Sequence, residues 1–205
     1  MTAEVLATEG FLPPGLDLSP AKRKLYEVAL ELFGQEGFHA VSIRDIANAL
    51  GQQPSAIYFH VASKQELLYD LTLIGHRSHF ESVRDALMDA GSDPVEQLRA
   101  TVTAHVRVHL DYPSMARLTN RELRALTPEH YADVVSIRSQ SEQISIDVID
   151  RGVRLGVFTS TDSFLDAKAI GAMGVRLPEW WTPDSPRTKE QIIEHYVANA
   201  LKLVS

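Results

Sequence analysis

An all-α fold is the architecture this sequence predicts, and three observations carry the expectation. Apolar residues recur at three- and four-residue spacing through most of the 205 positions, and strict strand-like alternation is missing. Serine, threonine or proline opens most of the periodic segments, and glycine or proline follows most of them. With 44% hydrophobic and 23% charged residues, the chain has enough apolar material for real cores, which excludes disordered and collagen-like classes.

Residues 1–18 hold Gly10, Pro13, Pro14 and Gly15 without an apolar period and read as a flexible leader. Ser19-Pro20 then supplies a cap and a first-turn proline, and Leu25, Val28, Ala29, Leu32 and Phe33 form one helical stripe that Gly37 ends. Ser42, with Asp45 three positions on, opens a two-turn helix that buries Ile43, Ile46, Ala47 and Leu50 and closes at Gly51. Gln53-Pro54 restarts a short helix through His60. Ser63 and Glu66 form a capping box for a long one with Leu67, Leu68, Leu71 and Ile74, running to about Ala90 before Gly91 and Pro94.

The pattern stays helical from Pro94 onward. Val95–Asp111 carries Leu98, Val102, Val106 and Leu110 on one stripe, Pro113–Leu126 is a shorter piece, and Pro128–Leu155 is long and ends at Gly156. Phe164–Val175 and Thr188–Leu203 form a last pair, separated by the proline-rich stretch WWTPDSPR.

Composition narrows the function. There is no cysteine, so disulfides, thiolate catalysis, iron–sulfur clusters and cysteine-ligated zinc are excluded, as suits a reducing cytosol. The amino terminus is acidic where a secretory signal is basic, and no apolar run approaches the roughly eighteen residues a membrane span needs, so a cytoplasmic protein is expected. The net charge of −7 taken alone disfavours a phosphate-rich partner, yet the distribution of charge along the chain points the other way. Residues 1–18 have three acids and no base, and residues 65–205 have twenty acids against fifteen bases; residues 19–64 have five bases against four acids. The triplet Lys22-Arg23-Lys24 at the start of the first helix is placed to meet phosphates.

A helix, a glycine turn and a second short helix that presents polar and aromatic residues make a helix-turn-helix, whose second helix can enter a major groove. Residues 19–64, above all EGFHAVSIRDIANALGQQPSAIYFHVASKQELL, resemble the DNA-binding region of the TetR family of transcriptional repressors. Gly37, Ser42, Ile46-Ala47, Gly51, Tyr58-Phe59-His60 and Ser63-Lys64 all stand in family register. The resemblance implies an all-α homodimer with a DNA-binding domain at 19–64 and an effector-binding and dimerisation domain at 65–205, residues 65–90 being the connecting helix. It further implies that Ser42, Arg44, Tyr58, His60 and Lys64 touch the DNA backbone. Ser55, Ala56 and Phe59 fall on the recognition face, with Gln53 at its mouth. Ala56 and Phe59 bring no hydrogen-bonding group, so base reading falls on Ser55, Gln53, Tyr58 and Arg44, on thymine methyls and on DNA shape.

The stretch AIGAMGVRLPEWWTPDSPRTKEQIIEHYVANALKLV is similar to the carboxy-terminal end of a TetR subgroup that responds to acyl-CoA thioesters of lipid or steroid breakdown. That likeness implies a long pocket gated by bases, for which Arg117, Arg121, Arg124, Arg138, Arg176 and Trp180 are the candidates. The last helix pair is the expected dimer seam. The small residues Gly171 and Gly174 beside Ile170 let a partner approach, and the final helix offers Ile193, Tyr196, Val197, Ala200 and Leu201. Two recognition helices about 34 Å apart then predict a palindromic operator, and effector binding would shift residues 64–90 like a lever.

Three rival readings are weaker. A Gly-x-Ser-x-Gly elbow, a P-loop, a dinucleotide fingerprint and suitably paired carboxylates are all missing, so an enzyme is not expected, nor a bound cofactor beyond a small-molecule effector. His105 and His109 lie one helical turn apart and His76 and His79 three residues apart, which fits a metal-responsive regulator, but with no flanking carboxylate the expectation is no metal. An effector-independent DNA binder would leave the long helical tail without a purpose.

Overall fold

The computed structural model describes residues 11–205. Its α-helices are α1 (Pro20–Glu36), α2 (Ile43–Ala49), α3 (Pro54–Ile57), α4 (Lys64–Asp89), α5 (Pro94–Asp111), α6 (Pro113–Arg121), α7 (Pro128–Arg154), α8 (Ser163–Val175), α9 (Leu177–Trp180) and α10 (Lys189–Val204). No strand occurs among the described residues. The expected caps are present: Ser19 accepts from Lys22 N–H, Ser42 and Asp45 make a reciprocal capping box, and Glu66 N–H donates to Ser63 Oγ at 3.0 Å.

Three boundaries differ from those the sequence predicts. The helix expected over 54–60 ends at Ile57, because the next amides tighten to three-residue hydrogen bonds, Phe59 to Ala56 and His60 to Ile57. The piece expected over 113–126 stops at Arg121 and continues as a 3₁₀ turn, Leu123–Ala125. The short helix α9, with proline in its first turn, falls where only a loop is expected. Residues 1–10 of the expected leader lie outside the described residues; within 11–18, Leu12 and Pro13 are buried, so this stretch is anchored rather than free.

Packing divides the chain into two units that interleave in sequence. The first comprises the described residues up to His76 together with Tyr112–Val134. Its core joins Leu25, Tyr26, Leu30 and Phe33 of α1 to Ile46 and Ala47 of α2, Ile57 of α3 and Leu67, Leu68 and Leu71 of α4. The turn between α2 and α3 runs through Gly51 at φ +65°, a backbone state that an L side chain disfavours.

The second unit comprises Arg77–Asp111 and Val135–Ser205. Leu98, Val102, Val106 and Leu110 of α5 pack with Val148 and Ile149 of α7, Ile170 of α8 and Ile192, Ile193, Val197, Ala200 and Val204 of α10. Gly174 of α8 lets the His105 ring come so close that a Cβ there would overlap the imidazole. Trp181 is the aromatic anchor of this core, donating Nε1–H to Arg187 O at 3.2 Å, whereas Trp180 is half exposed.

Candidate nucleic-acid interface

The α2–α3 corner brings Ser42, Arg44, Tyr58 and Lys64 of the expected DNA-facing residues together. Phe59 is 88% exposed and Tyr58 54%, at the tip just past α3, with Gln53 and Ser55 also exposed and Ala56 and His60 half-buried. Burying Ile57 beneath them is what turns the neighbouring aromatics outward, since three residues of one tight turn cannot all face the core. Beside this tip lies an open notch of about 430 Å³ bordered by Ser42, Ile43, Arg44, Pro54, Tyr58 and Lys64.

Two expected phosphate contacts have other work. The Ser42 hydroxyl donates to the Asp45 carboxylate at 2.6 Å and accepts from Asp45 N–H at 3.2 Å, while Ser42 N–H donates to the same carboxylate at 2.8 Å. A phosphate only accepts hydrogen bonds, so while the cap is closed the Ser42 hydroxyl proton is already engaged. The bonds from Ser42 hold the Asp45 carboxyl below the usual carboxylate range. Lys64 donates to the carbonyls of Phe38 and Val41, both at 2.8 Å, and its ammonium sits 4.2 Å from the centre of the Phe38 ring. Desolvation lowers its pKa. Two of its three protons therefore clamp the α1–α2 connection, and one remains for the notch.

Among the basic triplet, Lys22 lies 3.8 Å from the Asp70 carboxylate and over the Tyr26 ring, Arg23 is half-buried and Lys24 is exposed. Arg44 is exposed at the notch.

The expected effector residues divide between the units. Arg117, Arg121 and Arg124 belong to the first, where Arg117 and Arg121 border a cavity of about 210 Å³ with the carboxy-terminal end of α1 and Glu122, and Arg117 donates to Ser114 Oγ at 3.2 Å. Arg138, Arg176 and Trp180 belong to the second; Trp180 is half exposed.

The residues expected at the dimer seam differ in burial. Ile170, Gly174, Ile193, Val197 and Ala200 are buried in their own subunit's core, and Gly171, Tyr196 and Leu201 are half-buried. Ile193, Val197 and Ala200 are buried because α10 packs on α5 through this side. The exposed large apolar residues nearby are Leu155 and Val157 and, on the expected helix pair itself, Phe164, Leu165 and Leu203.

A tight helical corner with an aromatic tip beside a basic notch defines a helix-turn-helix DNA-binding regulator. Residues 25–71 match the family described as bacterial regulatory proteins, tetR family, and residues 91–204, more than half of the chain, match the tetracyclin repressor-like C-terminal domain. The chain belongs to the TetR family, whose members are transcriptional regulators and not enzymes. It is 26% identical over 180 residues to the HTH-type transcriptional repressor KstR2 of Mycobacterium tuberculosis, spanning 87% of this chain and 90% of that one. A tetR-family regulatory protein from Rhodococcus RHA1 superposes with a TM-score of 0.86 at 32% identity, covering 92% of this chain and 98% of that structure. AibR in complex with isovaleryl coenzyme A and operator DNA superposes at 0.79 with 23% identity, covering 87% and 96%, and so shares the fold. Among the described residues no helix is long and apolar enough to cross a membrane.

Proposed function

We propose that this TetR-family regulator is a homodimeric repressor that binds a palindromic operator and is released by an acyl-CoA thioester. The observation that carries the DNA-binding part is the tip: an 88% exposed Phe59 next to Tyr58 is an unfavourable surface in water unless a partner covers it. Thymine methyls in a major groove are such a partner, and Ser55 and Gln53 beside it can donate to base edges. Arg44 and the remaining proton of Lys64 hold the flanking phosphate.

The effector class is supported by the AibR complex and by Arg176 and Trp180, which stand one helical turn apart at the end of α8 and through α9. A guanidinium binds phosphate and an indole stacks on adenine, the two ends a coenzyme A headgroup presents. Release then needs a coupling of about 1–3 kcal/mol between effector and operator. Dimerisation is assigned to the outward face of α8 and its surroundings, where Phe164, Leu165, Val157 and Leu203 leave apolar area uncovered.

Fluorescence anisotropy with fragments of the protein's own promoter tests the reading. One fragment is bound tightly as two chains per site, and isovaleryl- or longer acyl-CoA, but not free coenzyme A or free acid, displaces it. Binding of all fragments with equal affinity, or displacement by none of the thioesters, overturns it.

A further inference from the structure

Tertiary packing brings together three histidines that the sequence distributes over two helices. His79 on α4 and His105 and His109 on α5 each bring one ring nitrogen into a cluster, the three nitrogens lying within 4.8 Å of one another. His79 Nε2 and His105 Nδ1 are 2.8 Å apart, and the ring centres of His105 and His109 are separated by 4.7 Å.

The ring tautomers follow from the partners. His105 Nε2 faces the Gly171 carbonyl at 3.1 Å, and His109 Nδ1 faces the His105 carbonyl at 2.8 Å. A carbonyl has no proton to give, so those nitrogens carry the hydrogens, and the opposite nitrogens, His105 Nδ1 and His109 Nε2, carry lone pairs. A histidine oriented by donating its far N–H to a backbone carbonyl is the arrangement that prepares an imidazole to ligate a metal. Gly174 permits this placing of His105, since a side chain at that position would displace the ring. Burial keeps both α5 rings neutral, lowering the His105 pKa to about 3 and that of His109 as well, so protons do not compete for the lone pairs.

We propose that His79, His105 and His109 bind one divalent transition-metal ion, Zn²⁺ by its preference for imidazole, with a fourth position open to water or an anion. On binding, the proton that His79 Nε2 shares with His105 moves to His79 Nδ1, and three lone pairs meet the ion. Zinc–nitrogen bonds of about 2.0–2.1 Å in a tetrahedron place the nitrogens roughly 3.3 Å apart, so His79 and His105 separate by about half an ångström and His109 closes in. The Arg138 charge reaches both α5 histidines, and an anionic fourth ligand would offset it. The site stands independently of the acyl-CoA reading. His79 lies on the part of α4 that belongs to the second unit, and the same helix begins in the first, so the ion would grip a helix shared by both.

The test uses the full chain freed of metal by a chelator and titrated with Co²⁺, in the absence of DNA and thioester. One equivalent per chain produces the intense visible absorption of a tetrahedral Co²⁺ site, and one equivalent of Zn²⁺ bleaches it. His79→Gln, at a partly buried position, lowers Co²⁺ affinity by at least about tenfold with unchanged far-UV circular dichroism, while His195→Gln on the exposed face of α10 leaves it unaltered. If His79→Gln does not fold, Zn²⁺ still raises the melting temperature of the wild type and not of His105→Gln. Weak octahedral absorption only, no Zn²⁺ stabilisation, or equal affinity in wild type and His79→Gln overturns the proposal.

Discussion

The Tyr26 hydroxyl on buried α1 donates to the Asp70 carboxylate on α4, which Lys22 also approaches. This bond fixes the start of the connecting helix against the first helix of the DNA-binding unit. Burial first, and then the bond and charge of Asp70, push the Tyr26 pKa upward. Tyr26→Phe is expected to lose about 1.5–3 kcal/mol in urea denaturation, the range for a hydrogen bond to a charged group. Because the folded chain holds this proton more tightly than the unfolded chain, the stability it confers is full below about pH 10 and falls as pH rises beyond that. A Tyr26→Phe variant as stable as wild type at pH 7 would contradict the role.

Phe59→Ala should leave the melting temperature within error, since the ring touches little of its own subunit, and weaken operator binding about tenfold or more. Anisotropy on operator and on a scrambled duplex separates the two effects: the loss is expected on the operator alone.

Lys64→Ala and Arg44→Ala should part company. Arg44→Ala lowers affinity for every sequence and reduces the salt slope by about one, without loss of stability. Lys64→Ala leaves the Phe38 and Val41 carbonyls without a donor and destabilises the fold by about 1–3 kcal/mol, with a smaller change in slope. Identical salt slopes for both variants, each one unit below wild type, would show that the clamp is dispensable.

Leu165→Asp tests the dimer seam on a side chain that is 60% exposed. Sedimentation should show a folded monomer. Ile193→Asp, by contrast, places a charge in the core and should unfold the second unit. A Leu165→Asp chain that remains dimeric moves the seam elsewhere.

Local patterns made much of this protein legible. The caps at Ser19, Ser42 and Ser63, the break at Gly91 and the tip residues Tyr58 and Phe59 follow from hydrogen bonding and periodicity within a few residues, which a sequence displays directly. What only tertiary structure decided involves partners distant along the chain. Which side of the α8 and α10 stripes faces inward depends on where α5 lies, so Ile193 is core and Leu165 surface. Lys64 became a clamp because folding delivered two carbonyls 26 and 23 residues upstream. His79 joined His105 and His109 because α4 and α5 turn those faces toward each other. Periodicity specifies that a helix has a buried side, but the packing of several helices at once determines which neighbour buries it.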